Sequence, residues 1–141
     1  MPTEQNKALN RNWNELLNAK NLDGALALLG PDYVEHSSAP GIPEGIEGVR
    51  MFFSMMMAAF PDFHGTILDQ IAEGDKVAQY TSIEATHTGP FMGVPPTGKR
   101  VKFATLDITK IADGKVVEHW GEMDNLGLMQ QLGLVPPPQG A

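Results

Sequence analysis

The chain has 141 residues, of which 42% are hydrophobic, and its 17 acidic and 10 basic side chains give a formal net charge of −7. The length fits one domain with a hydrophobic core, which we place at residues 1–135, followed by a flexible tail over residues 136–141. The acidic balance argues against nucleic acid and anionic membranes as partners, and the absence of cysteine excludes disulfides and thiolate chemistry. We therefore expect a cytoplasmic protein whose partner is a small, uncharged organic molecule.

Helical spacing of apolar residues dominates the first part of the chain. It predicts an amphipathic helix over residues 4–19, a short helix over residues 21–29 and a third helix over residues 44–59. Between the second and third helices we predict a short extended segment, residues 32–36, and then a loop rich in Pro, Gly and Ser. The apolar positions that define the first and third helices are Leu9, Trp13, Leu16, Leu17, Ile46, Val49, Phe52, Phe53, Met56 and Met57.

After Pro61 the apolar period changes from helical to alternating, which is typical of strands. The predicted strands are residues 63–72, 76–88, 100–111 and 115–124. Tight turns join the first pair and the last pair, and a final short helix follows at residues 126–132. Helices followed by an antiparallel meander indicate an α+β fold, with helices packed on one side of a curved sheet and a cavity at its open end.

The last predicted strand carries an unusual set of acidic residues. Alternation places these side chains on one face of the strand: Glu118, Trp120, Glu122 and Asp124. Three carboxylates are costly in a dry core, so this face is either solvated or lines a polar cavity in which a carboxylate works. A bulge at Gly121 would instead bring Asp124 to the face of His119. Asp124 also precedes a helix, where Asp is a favoured cap, so its role stays open between cap and catalyst.

Two further segments contain candidate ligand-binding residues. Tyr33 and His36 precede the first loop, at the expected mouth of the cavity, where a His can donate a hydrogen bond or accept a proton. His87 ends a strand, and Phe91 is at the tip of the Gly- and Pro-rich connection that follows, as in a cavity rim with a lid. The alternative for His36 is a surface His without a function. The alternative for the segment with Phe91 is a structural hairpin. The four histidines lack metal-ligand spacing, and we expect neither a metal nor a cofactor.

The chain resembles the SnoaL-like family of polyketide cyclases, also called ester cyclases, over nearly its whole length. The most specific motifs are FPDFH at residues 60–64, THTG at 86–89, GVPPTGK at 93–99, and DGK at 113–115 running on to Asp124. This resemblance implies a cone-shaped α+β barrel in which a curved, mostly antiparallel sheet wraps around helices and encloses a pocket. It also implies homodimers formed through the convex sheet and chemistry without metal or cofactor.

In the antibiotic cyclases that the chain resembles, an Asp at the position of Asp124 is the acid/base of an intramolecular aldol ring closure. Those cyclases carry a His on the preceding strand, and near that place this chain has Lys110. The resemblance therefore implies that Asp124 removes a proton next to a carbonyl group of a small hydrophobic compound. We expect Asp124 and Trp120 to face the cavity between the sheet and the helices.

The residues expected to bind the substrate are Trp13, Tyr33, His36, Phe52, Met56, His87, Phe91, His119 and Trp120. The aromatic and Met side chains would form apolar walls, and the His and Trp N–H groups would stabilise the developing enolate. Two alternative functions fit the same residues. The same pocket could carry out epoxide hydrolysis or an isomerisation, with Glu122 or His119 placing a water for Asp124, or it could bind a small molecule without catalysis.

Overall fold

The computed structural model of the chain describes residues 2–136. Over this part of the chain there are four helices and five strands. The helices are α1 (Pro2–Asn18), α2 (Leu22–Leu26), α3 (Gly45–Ala59) and α4 (Asn125–Gln131). The strands are β1 (Leu29–Glu35), β2 (His64–Glu73), β3 (Lys76–Thr86), β4 (Arg100–Ala112) and β5 (Lys115–Met123). Residues 137–141, within the predicted tail, lie outside the described residues.

The five strands form one open sheet in the order β1-β5-β4-β3-β2. Strands β2 to β5 are the predicted antiparallel meander, and β1 pairs in parallel with β5 at the far edge. Asp113 and Gly114 connect β4 to β5 with φ values of 52° and 72°, the left-handed conformation that tight hairpin turns require. The α+β prediction is confirmed, and the unclosed curved sheet is consistent with a cone.

The second helix is shorter than predicted. It ends at Leu26, although the helical spacing of apolar residues continues to Leu29. Leu29 and Gly30 begin strand β1 instead. Leu29 lies opposite Val116 of β5 and is buried in the core with it. Sheet pairing and burial therefore override the local helical pattern, as tertiary contacts commonly do. Pro31, which has no N–H, is tolerated because β1 is an edge strand.

The two faces of the sheet have different environments. On β4, Phe103 and Ile111 point to the inner face and are buried against the helices, whereas Leu106 and Ile108 point to the outer face and are exposed. Helix α1 packs on β2 and β3, and α3 packs on β1. No helix within residues 2–136 is long and apolar enough to cross a membrane. The inner face is the only face of the sheet that the described helices cover, and a site between sheet and helices must be built from it.

Candidate active site

A cluster of ionisable side chains lies on the inner face of the sheet. The imidazole of His119 is held between two carboxylates: Nδ1 donates to Glu35 at 2.6 Å from Oε2, and Nε2 donates to Oδ1 of Asp107 at 2.7 Å. The hydroxyl of Tyr33 donates to Oε1 of Glu35 at 2.8 Å. Three neighbouring strands thus contribute to one hydrogen-bonded chain of acid and base groups.

Strand register explains why these residues meet. Glu35 lies directly opposite His119 in the parallel β1–β5 pair. On the other side of β5, His119 lies opposite Thr109 and Gly121 lies opposite Asp107, so His119 and Asp107 are diagonal neighbours. Diagonal neighbours on one face of a sheet are within reach of long side chains. His119 therefore bridges β1 and β4 across the width of β5.

The two carboxylates make His119 a stable cation. Burial by itself would lower the pKa of His119, but the hydrogen bonds to Asp107 and Glu35 and the charges of those carboxylates raise it to about 9. Because each ring nitrogen faces a carboxylate oxygen, both must carry a proton. At neutral pH, His119 is consequently an imidazolium and cannot accept another proton.

Glu35 and Tyr33 are shifted in complementary directions. Burial would raise the pKa of Glu35, but the hydrogen bonds and charge of His119 and the hydrogen bond from Tyr33 hold it below its ordinary value. Burial, reinforced by the negative charge of Glu35, raises the pKa of Tyr33 far above its ordinary value. At neutral pH, Glu35 is therefore an anion and Tyr33 is a neutral hydrogen-bond donor.

Asp107 is the carboxylate of this cluster that is best placed to react. Its side chain is 27% exposed, against 16% for Glu35. Glu35 accepts hydrogen bonds on both oxygens, from Tyr33, His119 and the Ser37 N–H. Asp107 uses Oδ1 for His119, and within residues 2–136 its Oδ2 accepts no hydrogen bond. Asp107 therefore offers a solvent-reachable lone pair fixed in position by a cation.

Apolar side chains from α1 and α3 lie on the helical side of the inner face. Trp13 meets Phe53 edge to face at 5.8 Å between ring centroids, and Phe53 meets Phe52 in the same way at 5.2 Å. Trp13, Phe53 and Met56 are partly buried and pack against the core. The predicted wall residues Trp13, Phe52 and Met56 are thus brought together on the helices, with Phe53 as a further member.

The structure places Trp120 and His36 on the opposite side of the sheet from the cluster. Trp120 pairs with Ile108, whose side chain points to the outer face, and the rings of Trp120 and His36 stack at 4.5 Å between centroids. Glu118 on the same face accepts a hydrogen bond from His36 at 2.9 Å and pairs with Lys110 at 3.5 Å. The expectation that Trp120 faces the cavity is wrong, because the acidic face of β5 is the solvated one.

A bulge sets this register, and it lies upstream of Gly121. Lys110 pairs with Glu118 and Ile111 pairs with Val116, so Val117 is the extra residue. From Glu118 onwards the alternation is unbroken, which puts His119, Gly121 and Met123 on the inner face. Asp124 therefore does not join His119, whose carboxylate partners are Glu35 and Asp107.

Asp124 is exposed and occupies the N-cap position of α4. Its Oδ1 accepts a hydrogen bond from the Gly127 N–H at 2.9 Å, and its own N–H donates to the carbonyl of Ala104 at 3.0 Å. This is the ordinary capping arrangement, in which a short polar side chain satisfies a free N–H of the first turn. The geometry thus provides Asp124 with a structural role.

Exchange of Asp124 measures that role. We expect Asp124→Ala to lower the free energy of unfolding by about 1 kcal/mol, because the first turn of α4 loses its hydrogen-bond acceptor. Asp124→Asn keeps an acceptor oxygen and should unfold close to wild type. Urea unfolding followed by circular dichroism compares the three proteins. Equal destabilisation by Asn and Ala would contradict the capping role.

His87 and Phe91 belong to the core rather than to the cluster. His87 is fully buried beside Phe60, whose ring centroid is 5.4 Å away, and its Nδ1 accepts a hydrogen bond from the Thr97 N–H. Phe91 is buried against Phe60 as well. The His87 N–H donates to the carbonyl of Lys99, which lies eight residues before Asp107. At the rise of a strand, eight residues place Lys99 roughly 26 Å from Asp107. The structure does not bring His87 and Phe91 to the cluster.

Two surface concavities lie away from the cluster. One, of about 510 Å³, is on the exposed side of α3, and the other, of about 400 Å³, is beside α1 and the β4–β5 turn. Neither contains a predicted site residue. Access to the cluster is therefore through its own partly exposed side chains, Asp107 at 27% and His119 at 24%. Within residues 2–136, no group of three or more His, Asp or Glu side chains is arranged to hold a metal ion.

Comparison with known proteins identifies the family. The family of SnoaL-like polyketide cyclases matches this chain over residues 7–132. The chain belongs to the SnoaL-like polyketide cyclase family. Within the family it is 28% identical to aklanonic acid methyl ester cyclase DnrD of Streptomyces peucetius, over 82% of this chain and 79% of DnrD. It is 29% identical to nogalonic acid methyl ester cyclase of Streptomyces nogalater, over 73% of this chain and 78% of that cyclase.

Similar solved structures have the same fold. AclR, a proposed hydroxylase from Streptomyces galilaeus, superposes with a TM-score of 0.88 at 33% identity, over 97% of this chain and 87% of AclR. IdmH, a proposed polyketide cyclase from Streptomyces antibioticus, superposes with a TM-score of 0.81 at 34% identity, over 92% of this chain and 99% of IdmH. The likeness to cyclases supports an enzymatic role for this SnoaL-like chain.

Sequence reasoning missed Asp107 and the partnership of Glu35 with His119. Asp107 shares the parity of Val101, Phe103 and Ile111 on β4, which are buried. A carboxylate in the register of core residues is a readable sign of a special environment. Glu35 could not be paired with His119 in the same way, because the parallel β1–β5 ladder joins segments that are 84 positions apart.

Proposed function

We propose that this SnoaL-like protein is a cofactor-free polyketide cyclase that closes a ring by an intramolecular aldol reaction on a small hydrophobic carbonyl compound. The observation that carries the proposal is the Glu35–His119–Asp107 cluster, a fixed carboxylate–imidazolium–carboxylate chain on the inner face of the sheet. Its family membership and the cyclase names of its relatives support the reaction class.

In this proposal Asp107 is the general base. Its Oδ2 takes a proton from the carbon next to a carbonyl group, and the resulting enolate carbon attacks a second carbonyl of the same molecule. The new C–C bond turns that second carbonyl into an alkoxide, which takes the proton back from Asp107. The reaction therefore rearranges the substrate without changing its mass. No electron acceptor or metal enters this balance.

His119 and Glu35 support the base. The imidazolium of His119 holds Oδ1 of Asp107 and places a positive charge beside the negative charge that develops on the enolate oxygen. Glu35 holds the other ring nitrogen, so the ring cannot turn away. Trp13, Phe52 and Met56 would bind the apolar part of the substrate.

The family resemblance implies Asp124 in the role of the base. Two features favour Asp107 instead: Asp124 is exposed at a strand end and already caps α4, whereas Asp107 is on the inner face beside a cation. Comparing turnover in Asp107→Asn and Asp124→Asn decides between the two positions, because Asn keeps the shape of Asp and removes the proton acceptor.

The activity itself is tested with the substrates in the relatives' names. The purified protein is incubated with aklanonic acid methyl ester or nogalonic acid methyl ester in the presence of a chelator and without added cofactor. The products are separated by chromatography, and their masses are measured by mass spectrometry. The proposal expects a product of unchanged mass and new retention time. Binding without turnover would contradict it and favour a carrier protein. Conversion of a small cyclic epoxide to a product heavier by one water molecule, with both methyl esters left unchanged, would favour epoxide hydrolysis.

A second candidate reaction has a specific observation in its favour. AclR, a proposed hydroxylase, superposes over 97% of this chain and 87% of AclR. In the same assay supplemented with a two-electron reductant such as NADPH, hydroxylation would consume dissolved oxygen and give a product heavier by one oxygen atom, with the second oxygen atom released as water. Repeating the reaction in an anaerobic chamber separates the two: the aldol reaction proceeds there and hydroxylation does not.

We also propose that two copies of the chain pair through the outer face of the sheet. This face exposes a row of apolar side chains, with Ile71 65% and Leu106 58% exposed. A contiguous exposed apolar patch on a sheet is typical of an interface. The proposal places the dimer in the cytoplasm, where a protein without cysteine loses nothing to reduction.

A charge on this face should separate the copies. We expect Leu106→Glu, which adds a carboxylate opposite Glu122, to convert the dimer to a monomer, because a charge buried at an interface without a partner is costly. Leu126→Glu is the matched control, since Leu126 is 59% exposed on α4. Light scattering after size-exclusion chromatography gives the mass of each protein. A wild-type monomer, or a Leu106→Glu dimer, would contradict the interface.

A further inference from the structure

Gly121 occupies a crowded position on the inner face of β5, directly opposite Asp107 and two residues after His119. A Cβ atom at this position would lie 2.6 Å from Cε1 and 2.8 Å from Nε2 of His119 and would also collide with Oδ1 of Asp107. In real structures a Cβ atom essentially never comes within 3.0 Å of a non-bonded heavy atom. The imidazole and the carboxylate therefore fill the volume that any side chain at position 121 would need.

The backbone does not require a glycine here. Gly121 is not among the residues with positive φ, so an L-amino acid can adopt its conformation. Its N–H donates to Oγ of Ser37 at 2.8 Å, a bond that any non-proline residue could make. What a side chain at position 121 would disturb is the contact between His119 and Asp107.

We propose that Gly121 is a positioning residue, which leaves the space in which His119 lies across β5 to hold Asp107 while Glu35 holds the other ring nitrogen. The inference rests on the proposed function only for the catalytic use of Asp107. The space itself is a property of the folded chain without any substrate.

The consequence of filling this space follows from the register. His119 would keep Glu35, which lies directly opposite it on β1, and would lose Asp107, its diagonal neighbour on β4. The charged groups that act on His119 are these two carboxylates. Losing one of two opposite charges lowers the pKa of a His by about one unit or more. Asp107 would lose the cation that fixes its orientation, and kcat would fall while KM changed little.

The test is an NMR titration of the His119 ring in the full chain, with no ligand added. In wild type we expect a pKa of about 9. In Gly121→Ala we expect it to fall by about one unit or more. Gly30→Ala is the matched control: Gly30 is another strand glycine, and its added Cβ would meet Val117 Cγ1 at 3.3 Å and no side chain of the cluster. Its titration should match wild type. An unchanged His119 pKa in Gly121→Ala would overturn the proposal.

A second variant covers the case in which Gly121→Ala does not fold. The triple variant Asp107→Ala/His119→Ala/Gly121→Ala lacks both colliding groups, and we expect it to fold like its control Asp107→Ala/His119→Ala, as shown by near-ultraviolet circular dichroism. A triple variant that fails to fold while this control folds would overturn the proposal, because the collision would then lie elsewhere. The titration uses no substrate, so it tests the positioning role separately from the proposed function. If the His119 pKa falls in Gly121→Ala but the wild-type protein shows no cyclase activity, the positioning role stands and the proposed function is rejected.

Discussion

Replacing Asp107 by Asn is expected to lower the kcat of ring closure by about 100- to 10,000-fold, the usual contribution of a general acid–base group. The Asn side chain can still accept a hydrogen bond from Nε2 of His119, so the geometry of the cluster is largely kept. What is lost is the ability of Oδ2 to take a proton. The effect should therefore appear in kcat, with KM within about a few-fold of wild type, since the apolar walls still bind the substrate.

Two variants make this result specific. Asp32→Asn makes the same exchange of a carboxylate for an amide at an exposed position of β1 and should keep wild-type kcat. Asp124→Asn should do the same if Asp124 is only the cap of α4. A large loss of kcat in Asp124→Asn, with Asp107→Asn unaffected, would overturn the assignment and place the acid/base at the helix cap.

The fold could be predicted from the sequence because its patterns are local. The alternation of Val101, Phe103 and Ile111 defines a strand, and the Asp113-Gly114 turn fixes which strand pairs with it. Strand β1 was only partly predicted, since Leu29 continues a helical pattern and its strand pairing depends on Val116, which is 87 positions away in the sequence. A parallel pair at the edge of a sheet leaves no turn between its strands for the sequence to reveal.

The site was harder to predict because it depends on which face of β5 is inside. Alternation correctly grouped Glu118, Trp120 and Glu122 on one face, but alternation is symmetric between the inside and the outside of a sheet. The extra residue, Val117, sets the register, and nothing in its side chain marks it as a bulge. Tyr33 and His119 were predicted as site residues and lie in the cluster, whereas Asp107 was missed although its parity on β4 is that of the buried residues.

Gly121 shows the same limit in a single residue. In the sequence it indicates a bulge or a close approach of two chain segments, which are the usual reasons for a glycine inside a strand. The structure shows close approach of a different kind, between the position of the absent side chain and the His119–Asp107 contact. A residue that acts by leaving space empty can be recognised only when the groups that fill the space are known.

The stability of the folded chain should be greatest at mildly acidic pH and should fall as the solution becomes alkaline. The pKa of His119 is raised from 6.5 to about 9 in the folded chain. A raised pKa means that the folded state favours the protonated form, so its contribution is fully present below pH 6.5 and is lost as the pH rises through about 9. Glu35, whose pKa is lowered from 4.5, contributes above that pH and loses its contribution as the pH falls through the lowered value. The two windows overlap between about pH 4.5 and 6.5.

Between about pH 5.5 and pH 9.5 we expect the free energy of unfolding of wild type to fall by up to about 3 kcal/mol, the value of a shift of this size. Urea unfolding at the two pH values measures this change. His119→Gln lacks the titrating ring and should show little of it, whereas His64→Gln, which removes an exposed His on β2, should show the full wild-type change. A wild-type stability that stays constant over this range would mean that His119 is not held as a cation between its two carboxylates. If His64→Gln abolished the pH dependence, the dependence would come from His64 and not from His119.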